Sequence, residues 1–217
     1  MKPSNAFVSN TWSSSNSNVV SVNSLGKISA RGEGTATITV KTYNDVTASC
    51  VVTVKTAPES VAINKTAVNV GVGQSVTLKS TLTPENAYTF CNWSSSDTSI
   101  AKVSSQGVVT GEKVGTATIT VRTSNGKTAT CKVNVKSAPT SVTLTPSTAK
   151  LSVGGTVTLT KTLTPSNSAT SFKWTSSNTG VATVDSTGKV KAVAKGTATI
   201  TVATFNGKKA TCKITVA

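Results

Sequence analysis

The 217-residue sequence has no histidine and only seven acidic residues. Histidine is the commonest general base and a frequent zinc ligand, so its absence excludes histidine-based catalytic triads and most zinc sites. Calcium sites and carboxylate pairs need several acidic oxygens that converge on one point. Seven acids scattered along the chain do not supply them. We therefore expect no enzyme activity, no catalytic residue, no metal site and no cofactor.

Long apolar runs and helical patterns are missing as well. No stretch of about 18 apolar residues could cross a bilayer, so we do not expect membrane insertion. No window carries apolar residues at helical spacing, whereas Val and Thr, which favour strands, recur throughout. Met1-Lys2-Pro3 leads directly into polar sequence, which predicts no signal peptide within this chain. Export would then need a signal further upstream or an unconventional route.

What the sequence does contain is a repeat. Trp12, Trp93 and Trp174 are equally spaced along the chain. Three more columns keep the same spacing without insertion or deletion: Gly26, Gly107 and Gly188; Gly34, Gly115 and Gly196; and Cys50, Cys131 and Cys212. A fixed spacing of this kind is the signature of a tandem array. The acids do not follow it, since Asp97 aligns with Asn16 and Asn178.

The array divides into three predicted domains. Residues 57–137 and 138–217 are complete repeats, and residues 1–56 are an N-terminally truncated repeat that lacks its first strands. Within each repeat apolar and polar residues alternate, with turn signals roughly every 8 to 12 residues, which is typical of an all-β sandwich. The connections between repeats are short and each ends in a proline, which predicts a semi-rigid row of domains.

Several short motifs of the repeat are informative when they are taken together. In repeat three they are Leu-Ser-Val-Gly at 151–154, Leu-Thr-Pro at 163–165, Trp-Thr-Ser-Ser-Asn at 174–178, Val-Ala-Thr-Val at 181–184 and Gly-Thr-Ala-Thr-Ile-Thr-Val at 196–202. Together they resemble the bacterial immunoglobulin-like domain, group 2, over both complete repeats and the surviving part of the first. The resemblance implies tandem immunoglobulin-like β-sandwiches without a family active site. It also points to surface proteins similar to intimin and invasin, to accessory modules of carbohydrate-active proteins and to phage virion proteins.

Two of the recurrent columns are predicted to be structural. An Ig-type sandwich has a core tryptophan on a strand of this kind, so we interpret the tryptophans as core residues; the alternative is a platform for stacking sugars. The second structural column is the glycine that opens the Gly-Thr-Ala-Thr-Ile-Thr-Val strand. The predicted core structural residues are Trp12, Trp93, Trp174, Gly34, Gly115 and Gly196. The serine runs after each tryptophan are interpreted as turn formers, because no base is available to activate a nucleophile.

The cysteines are predicted to be free, buried thiols without a disulfide. Cys50, Cys131 and Cys212 face inward by alternation, and Cys91 is an additional cysteine in repeat two. In an Ig-like sheet another strand separates Cys91 from Cys131, so their Cα atoms would lie about 9.5 Å apart. A disulfide requires a separation below about 7 Å. Unpaired cysteines in every repeat fit a reducing or anaerobic setting.

The net charge of +15 favours anionic partners such as surface glycopolymers. The alternative is a merely solvated surface, because the lysines are spread over all three repeats. Nucleic acid is not expected, since no arginine-rich stripe or set of stacking aromatics accompanies the lysines. The truncated repeat would expose a core face and a strand edge. Either the sequence starts at a boundary, or another protein chain completes the first repeat.

We expect a non-catalytic structural or adhesive segment of a bacterial cell-surface protein. It would act as a semi-rigid spacer, or as a weak binding module for surface glycans or host partners. Two alternatives stay open: a bacteriophage virion protein that decorates a capsid or tail, and an accessory module of a polysaccharide-acting enzyme. The aromatic content of 4% counts against the accessory module. The predicted location is extracellular, on the bacterial cell surface or the virion surface.

Overall fold

The computed structural model describes residues 10–217, and these residues form strands and turns with no helix. The prediction of an all-β chain is therefore confirmed. Residues 1–9, which the sequence aligns with the turn region of the later repeats, lie outside the described range. The strands of the first repeat are β1 (Asn10–Ser14), β2 (Val20–Val22), β3 (Ile28–Ala30), β4 (Gly34–Thr42) and β5 (Thr47–Val54).

Repeats two and three each contribute nine strands in the same order. Those of repeat two are β6 (Ser60–Ile63), β7 (Ala67–Gly71), β8 (Ser75–Thr77), β9 (Ser80–Thr83), β10 (Cys91–Ser95), β11 (Ala101–Val103), β12 (Val108–Gly111), β13 (Gly115–Thr123) and β14 (Thr128–Lys136). Those of repeat three are β15 (Ser141–Thr145), β16 (Thr148–Leu151), β17 (Thr156–Thr158), β18 (Thr160–Thr164), β19 (Phe172–Ser176), β20 (Ala182–Val184), β21 (Lys189–Ala192), β22 (Gly196–Thr204) and β23 (Lys209–Val216).

Each complete repeat is a sandwich whose first sheet has four strands. In repeat three their order is β16-β23-β22-β19, and in repeat two it is β7-β14-β13-β10. The last strand of each repeat pairs antiparallel with the strand before it and parallel with an early strand, β16 or β7. The other half of the sandwich comprises β17-β21-β20 and β15-β18 in repeat three, and β8-β12-β11 and β6-β9 in repeat two. The predicted tandem Ig-like architecture is confirmed.

The core follows from the alternation of side chains along the long hairpin of each repeat. In β22 the inward residues Ala198, Ile200 and Val202 are buried, whereas the threonines between them are at least partly exposed. Strand β23 places Cys212 opposite Ile200 and Ile214 opposite Ala198. Because side chains of a strand point alternately to its two faces, this register brings the apolar set onto one side of the sheet. Repeat two is built in the same way around Ile119, Val121, Cys131, Val133 and Val135.

The first repeat is only part of this arrangement. Its sheets are β1-β4-β5 and β2-β3, and its buried core comprises Val19, Val20, Ala36 and Ile38. Among the residues that the structure describes, β5 pairs with β4 alone, whereas β14 and β23 are flanked on both sides. The sequence contains no counterpart of residues 58–81 ahead of this repeat. Within residues 10–217, one edge of β5 has no strand partner, and Cys50 and Val51 on this strand are exposed.

The prediction that all three last-strand cysteines are buried is wrong for Cys50. Cys131 and Cys212 have no exposed surface, whereas Cys50 is exposed. All three cysteines occupy the same column and lie opposite an isoleucine of the neighbouring strand. Burial on an inner sheet face depends on the strands around it: β7 and β16 flank the last strands of repeats two and three, whereas no strand other than β4 pairs with β5 among the described residues. Cys91 is half-buried, and β13 lies between its strand and that of Cys131.

The chain forms two compact units. One extends to Ser60 and also includes Leu82–Phe90, and the other comprises Val61–Thr81 with Cys91–Ala217. The second unit thus holds all of repeat three and most of repeat two. The division into domains at residues 56 and 137 stays a prediction.

We predict that the thiols of the last-strand cysteines differ widely in reactivity. Burial raises the pKa of the Cys131 and Cys212 thiols and so lowers their thiolate fraction, while their position in the core blocks access. Iodoacetamide should therefore alkylate Cys50 rapidly in the native protein, and Cys131 and Cys212 only after unfolding. Peptide mapping by mass spectrometry measures each site, and Cys50→Ser should remove the fast phase at that site. Rapid native labelling of Cys212 would contradict the packing described.

Candidate functional site

The three predicted core tryptophans pack against glycine turns. Each indole is half-buried and lies against the core of its own repeat. A β-carbon on Gly188 would lie 2.8 Å from Cζ2 of Trp174 and 2.9 Å from the carbonyl oxygen of Leu159. Gly107 and Gly26 stand in the same relation to Trp93 and Trp12. A ring held between the core and a glycine turn offers little free face for a sugar, which supports the structural interpretation.

The second predicted column, Gly34, Gly115 and Gly196, opens the long strands β4, β13 and β22. A β-carbon there would lie 3.1, 2.7 and 2.9 Å from the side chains of Val19, Ile100 and Val181 respectively. At Gly196 the φ angle is also +143°, which L-residues rarely adopt. These glycines let the loop that follows the tryptophan strand pack onto the start of the hairpin. Their predicted role as core structural residues stays a prediction.

The serine runs bind backbone groups. The hydroxyl oxygens of Ser15, Ser96 and Ser177 accept hydrogen bonds of 2.8 to 2.9 Å from the backbone N–H groups of Thr37, Thr118 and Thr199. The same geometry recurs in all three repeats, and the sequence has no histidine that could activate a hydroxyl. This recurrence supports backbone hydrogen bonding as the role of these serines, while the preceding serines Ser14, Ser95 and Ser176 accept from the backbone N–H two residues on, as turn formers do.

The Asp185 side chain also closes a turn. The Asp185 carboxylate accepts hydrogen bonds from the Thr187 hydroxyl at 2.6 Å and from the backbone N–H groups of Thr187 and Lys189 at 2.8 and 3.1 Å. These bonds hold the pKa of Asp185 below its ordinary value, with the Thr187 hydroxyl as the largest cause. Asn23 closes the equivalent turn of repeat one. Within residues 10–217 no three His, Cys, Asp or Glu side chains gather as metal ligands would.

A packed joint connects repeats two and three inside the second unit. The backbone N–H of Ala169 donates to the carbonyl of Ser137 at 3.2 Å, and the side-chain amide of Asn206 donates to the carbonyl of Pro139 at 2.8 Å. A β-carbon on Gly71 of repeat two would lie 2.5 Å from the carbonyl oxygen of Ala169 and 2.9 Å from the Phe205 ring. The turn of the last hairpin of repeat three therefore packs directly onto the end of β7 in repeat two.

The first unit has a surface that the sequence did not predict. Tyr88 and Phe90 are 61% and 74% exposed, and their ring centroids lie 6.1 Å apart at an interplanar angle of 68°. The Lys55 ammonium lies 5.6 Å from the Tyr88 ring centroid. Thr53, Lys55 and Tyr88 line a cleft of about 320 Å³. We call Tyr88, Phe90, Lys55 and Thr53 the aromatic patch.

Three hydrogen bonds frame the aromatic patch. The Glu33 carboxylate accepts a hydrogen bond from the Thr56 hydroxyl at 2.7 Å and one from the Asn86 side-chain amide at 3.4 Å. The backbone N–H of Tyr88 donates to the carbonyl of Thr56 at 3.0 Å, as Ala169 does to Ser137 in the second unit. Neither aromatic residue recurs in repeat three, where Ala169 and Ser171 take their places. The repeat pattern therefore gave no signal of this surface.

Most of the positive charge is not neutralised by ion pairs. Within the described part of the chain the structure contains two ion pairs, Lys41–Asp45 at 2.7 Å and Lys102–Glu112 at 3.3 Å. Lys161 lies over the rings of Phe172 and Trp174, at 4.8 and 6.0 Å from their centroids. No helix among residues 10–217 has the length and hydropathy to cross a bilayer.

The two complete repeats match a known family. Residues 57–133 and residues 138–214 each match the family described as "Bacterial Ig-like domain (group 2)", and together the matches cover more than half of the chain. This chain belongs to the group 2 bacterial Ig-like family.

Relatives of this Ig-like chain differ in context. An uncharacterized protein of Clostridium acetobutylicum is 38% identical over 151 residues, which is 67% of this chain and 16% of that protein. An Ig-like virion protein of Serratia phage KSP90 is 36% identical over 154 residues, 67% of this chain and 60% of that protein. The S-layer protein SbsC, domains 4 and 5, is 33% identical and covers 58% of this chain and 70% of that one, at a TM-score of 0.32. The chain thus spans less than two thirds of these sequence relatives.

We predict that the glycine turn packed against Trp174 tolerates an added side chain far less well than another turn of the same repeat. Gly188 and Gly207 both have positive φ angles, +92° and +80°, but nothing lies within 4 Å of a β-carbon on Gly207. Gly207→Ala should cost about 1 to 2 kcal/mol from the backbone alone. Gly188→Ala should cost roughly 1 to 3 kcal/mol more, because the methyl group overlaps Trp174. Hydrogen exchange of the Ile200 and Cys212 amides measures the free energy of unfolding of both variants. An equal loss of stability in the two variants would refute the role given to the tryptophan contact.

We also predict that the turn at Asp185 depends on pH. Because the folded pKa is depressed, the stabilisation is present above the unfolded value of about 4 and is lost as the pH falls through the folded pKa. Thr187→Val should raise the pKa of Asp185 towards the ordinary value. Carbon-13 NMR titration of the carboxyl groups measures this shift. Asp97, whose pKa is lowered in the same way by Ser99, is the internal control and should not change.

Proposed function

We propose that this Ig-like array is a semi-rigid spacer within a bacterial surface protein, and that it holds another part of the assembly at a fixed distance. The observation that carries the proposal is the joint between repeats two and three. The Phe205 ring in the last hairpin of repeat three packs beside Gly71 at the end of β7, and the Ala169 N–H donates to the Ser137 carbonyl across the joint. A connection that is both short and packed leaves little freedom for one domain to rotate against the next.

The absence of histidine and the structural use of the serines and of Asp185 support a non-catalytic role. The location on a cell surface rests on the family, whose resemblance in sequence points to surface proteins. Anionic glycopolymers and another protein chain that completes the first repeat are the partners we propose. The largely unneutralised positive charge supports the first partner, and the edge of β5 that has no strand partner within residues 10–217 supports the second.

A virion protein is the second candidate. It is favoured by the Ig-like virion protein of Serratia phage KSP90, which matches this chain over more than half of its own length. Mass spectrometry can detect this chain in purified virions or among the peptides that a protease releases from the surface of intact cells. The result distinguishes a virion location from a cell-surface location. Recovery of this chain from neither fraction would overturn both proposals. An accessory module of a polysaccharide-acting enzyme stays a prediction, tested by whether a catalytic domain shares the parent chain.

We predict that Phe205→Ala loosens the joint. The ring fills the space beside Gly71, so its loss removes the apolar part of the contact and leaves the hydrogen bond from Ala169 to Ser137 across the joint. Nitrogen-15 relaxation should show repeats two and three tumbling as one body in the wild-type chain and separately in the variant.

Tyr43→Ala is the matched control, because Tyr43 occupies the same column in the first repeat and is 72% exposed. It should leave the relaxation of repeats two and three unchanged. Independent tumbling of the two repeats in the wild-type chain would end the spacer proposal.

A further inference from the structure

We propose that the aromatic patch of the first unit binds an acidic oligosaccharide, with sugar rings stacked on Tyr88 and Phe90 and a uronic-acid carboxylate paired with Lys55. The inference rests on the proposed partner class of anionic glycopolymers, and it assigns that class a site. The spacer role does not depend on it, since the joint lies in the other unit.

The aromatic rings are placed for stacking. Most of the surface of Tyr88 and Phe90 faces solvent, and neither residue belongs to a core cluster. Their edge-to-face arrangement presents two aromatic faces at an angle of 68°. An exposed aromatic pair carries a cost in water that burial beneath the C–H face of a sugar ring would offset.

Lys55 gives the surface its preference for an acid. Its ammonium lies over the Tyr88 ring, and no carboxylate lies within ion-pairing distance of it among the residues described. A cation that rests on an aromatic ring keeps its charge and can still pair with an anion beside the ring. A sugar stacked on the aromatic pair would therefore bring an equatorial carboxylate close to this charge.

The polar frame holds the patch in place before any ligand arrives. Glu33 bridges Thr56 and Asn86, which are far apart in the sequence, and the Tyr88 backbone is tied to Thr56. A pre-formed site loses less conformational entropy on binding. The cleft of about 320 Å³ lies at the small end of ligand sites and suits one or two sugar rings. A folded protein partner would need a much larger contact area.

Sugar binding can be tested on the intact chain with two probes of equal length, hexagalacturonate and neutral cellohexaose. Nitrogen-15 NMR titration should show hexagalacturonate shifting the amides of Thr53, Lys55 and Tyr88. Phe90→Ala should weaken this binding roughly tenfold, because the variant loses one of the two stacking rings. Lys55→Gln should reduce the affinity for hexagalacturonate to that for cellohexaose. Tyr43→Ala, which removes a comparably exposed aromatic ring elsewhere, should have no effect.

Three outcomes would overturn the assignment. Shifts spread over the lysines of all repeats and unchanged by Phe90→Ala would show charge-driven binding, which removes the site but keeps the partner class. Equal affinity for both probes would remove the role of Lys55 and the preference for an acid. No binding of hexagalacturonate anywhere would count against both the site and the anionic partner class. In each case the relaxation of repeats two and three still reports on the spacer role separately.

Discussion

The contact between each indole ring and its glycine turn connects the two halves of the sandwich, and much of the repeat depends on it. Trp174 lies on β19 of the four-stranded sheet, while Gly188 lies in the turn between β20 and β21 of the facing sheet. The Gly188 carbonyl in turn accepts a hydrogen bond from the backbone N–H of Leu159, one of the largest buried residues. A turn held between a ring and a core strand cannot change in length without moving both. This constraint gives a physical reason for the constant separation between the tryptophan and its glycine in all three repeats.

The architecture was largely readable from the sequence because its signals are local and occur in triplicate. Alternation along Gly196–Thr204 assigned the inner face, and the Asn206-Gly207 turn assigned the hairpin. Cys50 shows where such reasoning fails. The alternation places it opposite the buried Ile38, but its exposure depends on strands that are distant in sequence, and none of these pairs with β5 among the described residues.

The aromatic patch was out of reach of the sequence for a different reason. Tyr88 and Lys55 are far apart in the sequence and belong to different repeats, and the backbone bond from Tyr88 to Thr56 brings them together. Periodicity identifies what the repeats share, whereas this surface is made of residues that they do not share. Repeat three has Ala169 in the column of Tyr88 and Phe205 in the column of Ser124. Repeats two and three therefore carry a large aromatic side chain at different repeat positions, Tyr88 in one and Phe205 in the other. The backbone hydrogen bond made by Tyr88 and by Ala169 is nevertheless the same.

The parallel pairing of β7 with β14, and of β16 with β23, has a mechanical consequence. The chain enters each complete repeat shortly before the early strand and leaves it at the end of the last one, so tension along the chain pulls the two paired strands in opposite directions. Their hydrogen bonds then lie perpendicular to the pulling direction and bear the force together in shear. In a hairpin pulled from its open end, by contrast, the hydrogen bonds break one after another. Repeats closed in this way should yield at higher force than a hairpin of equal length.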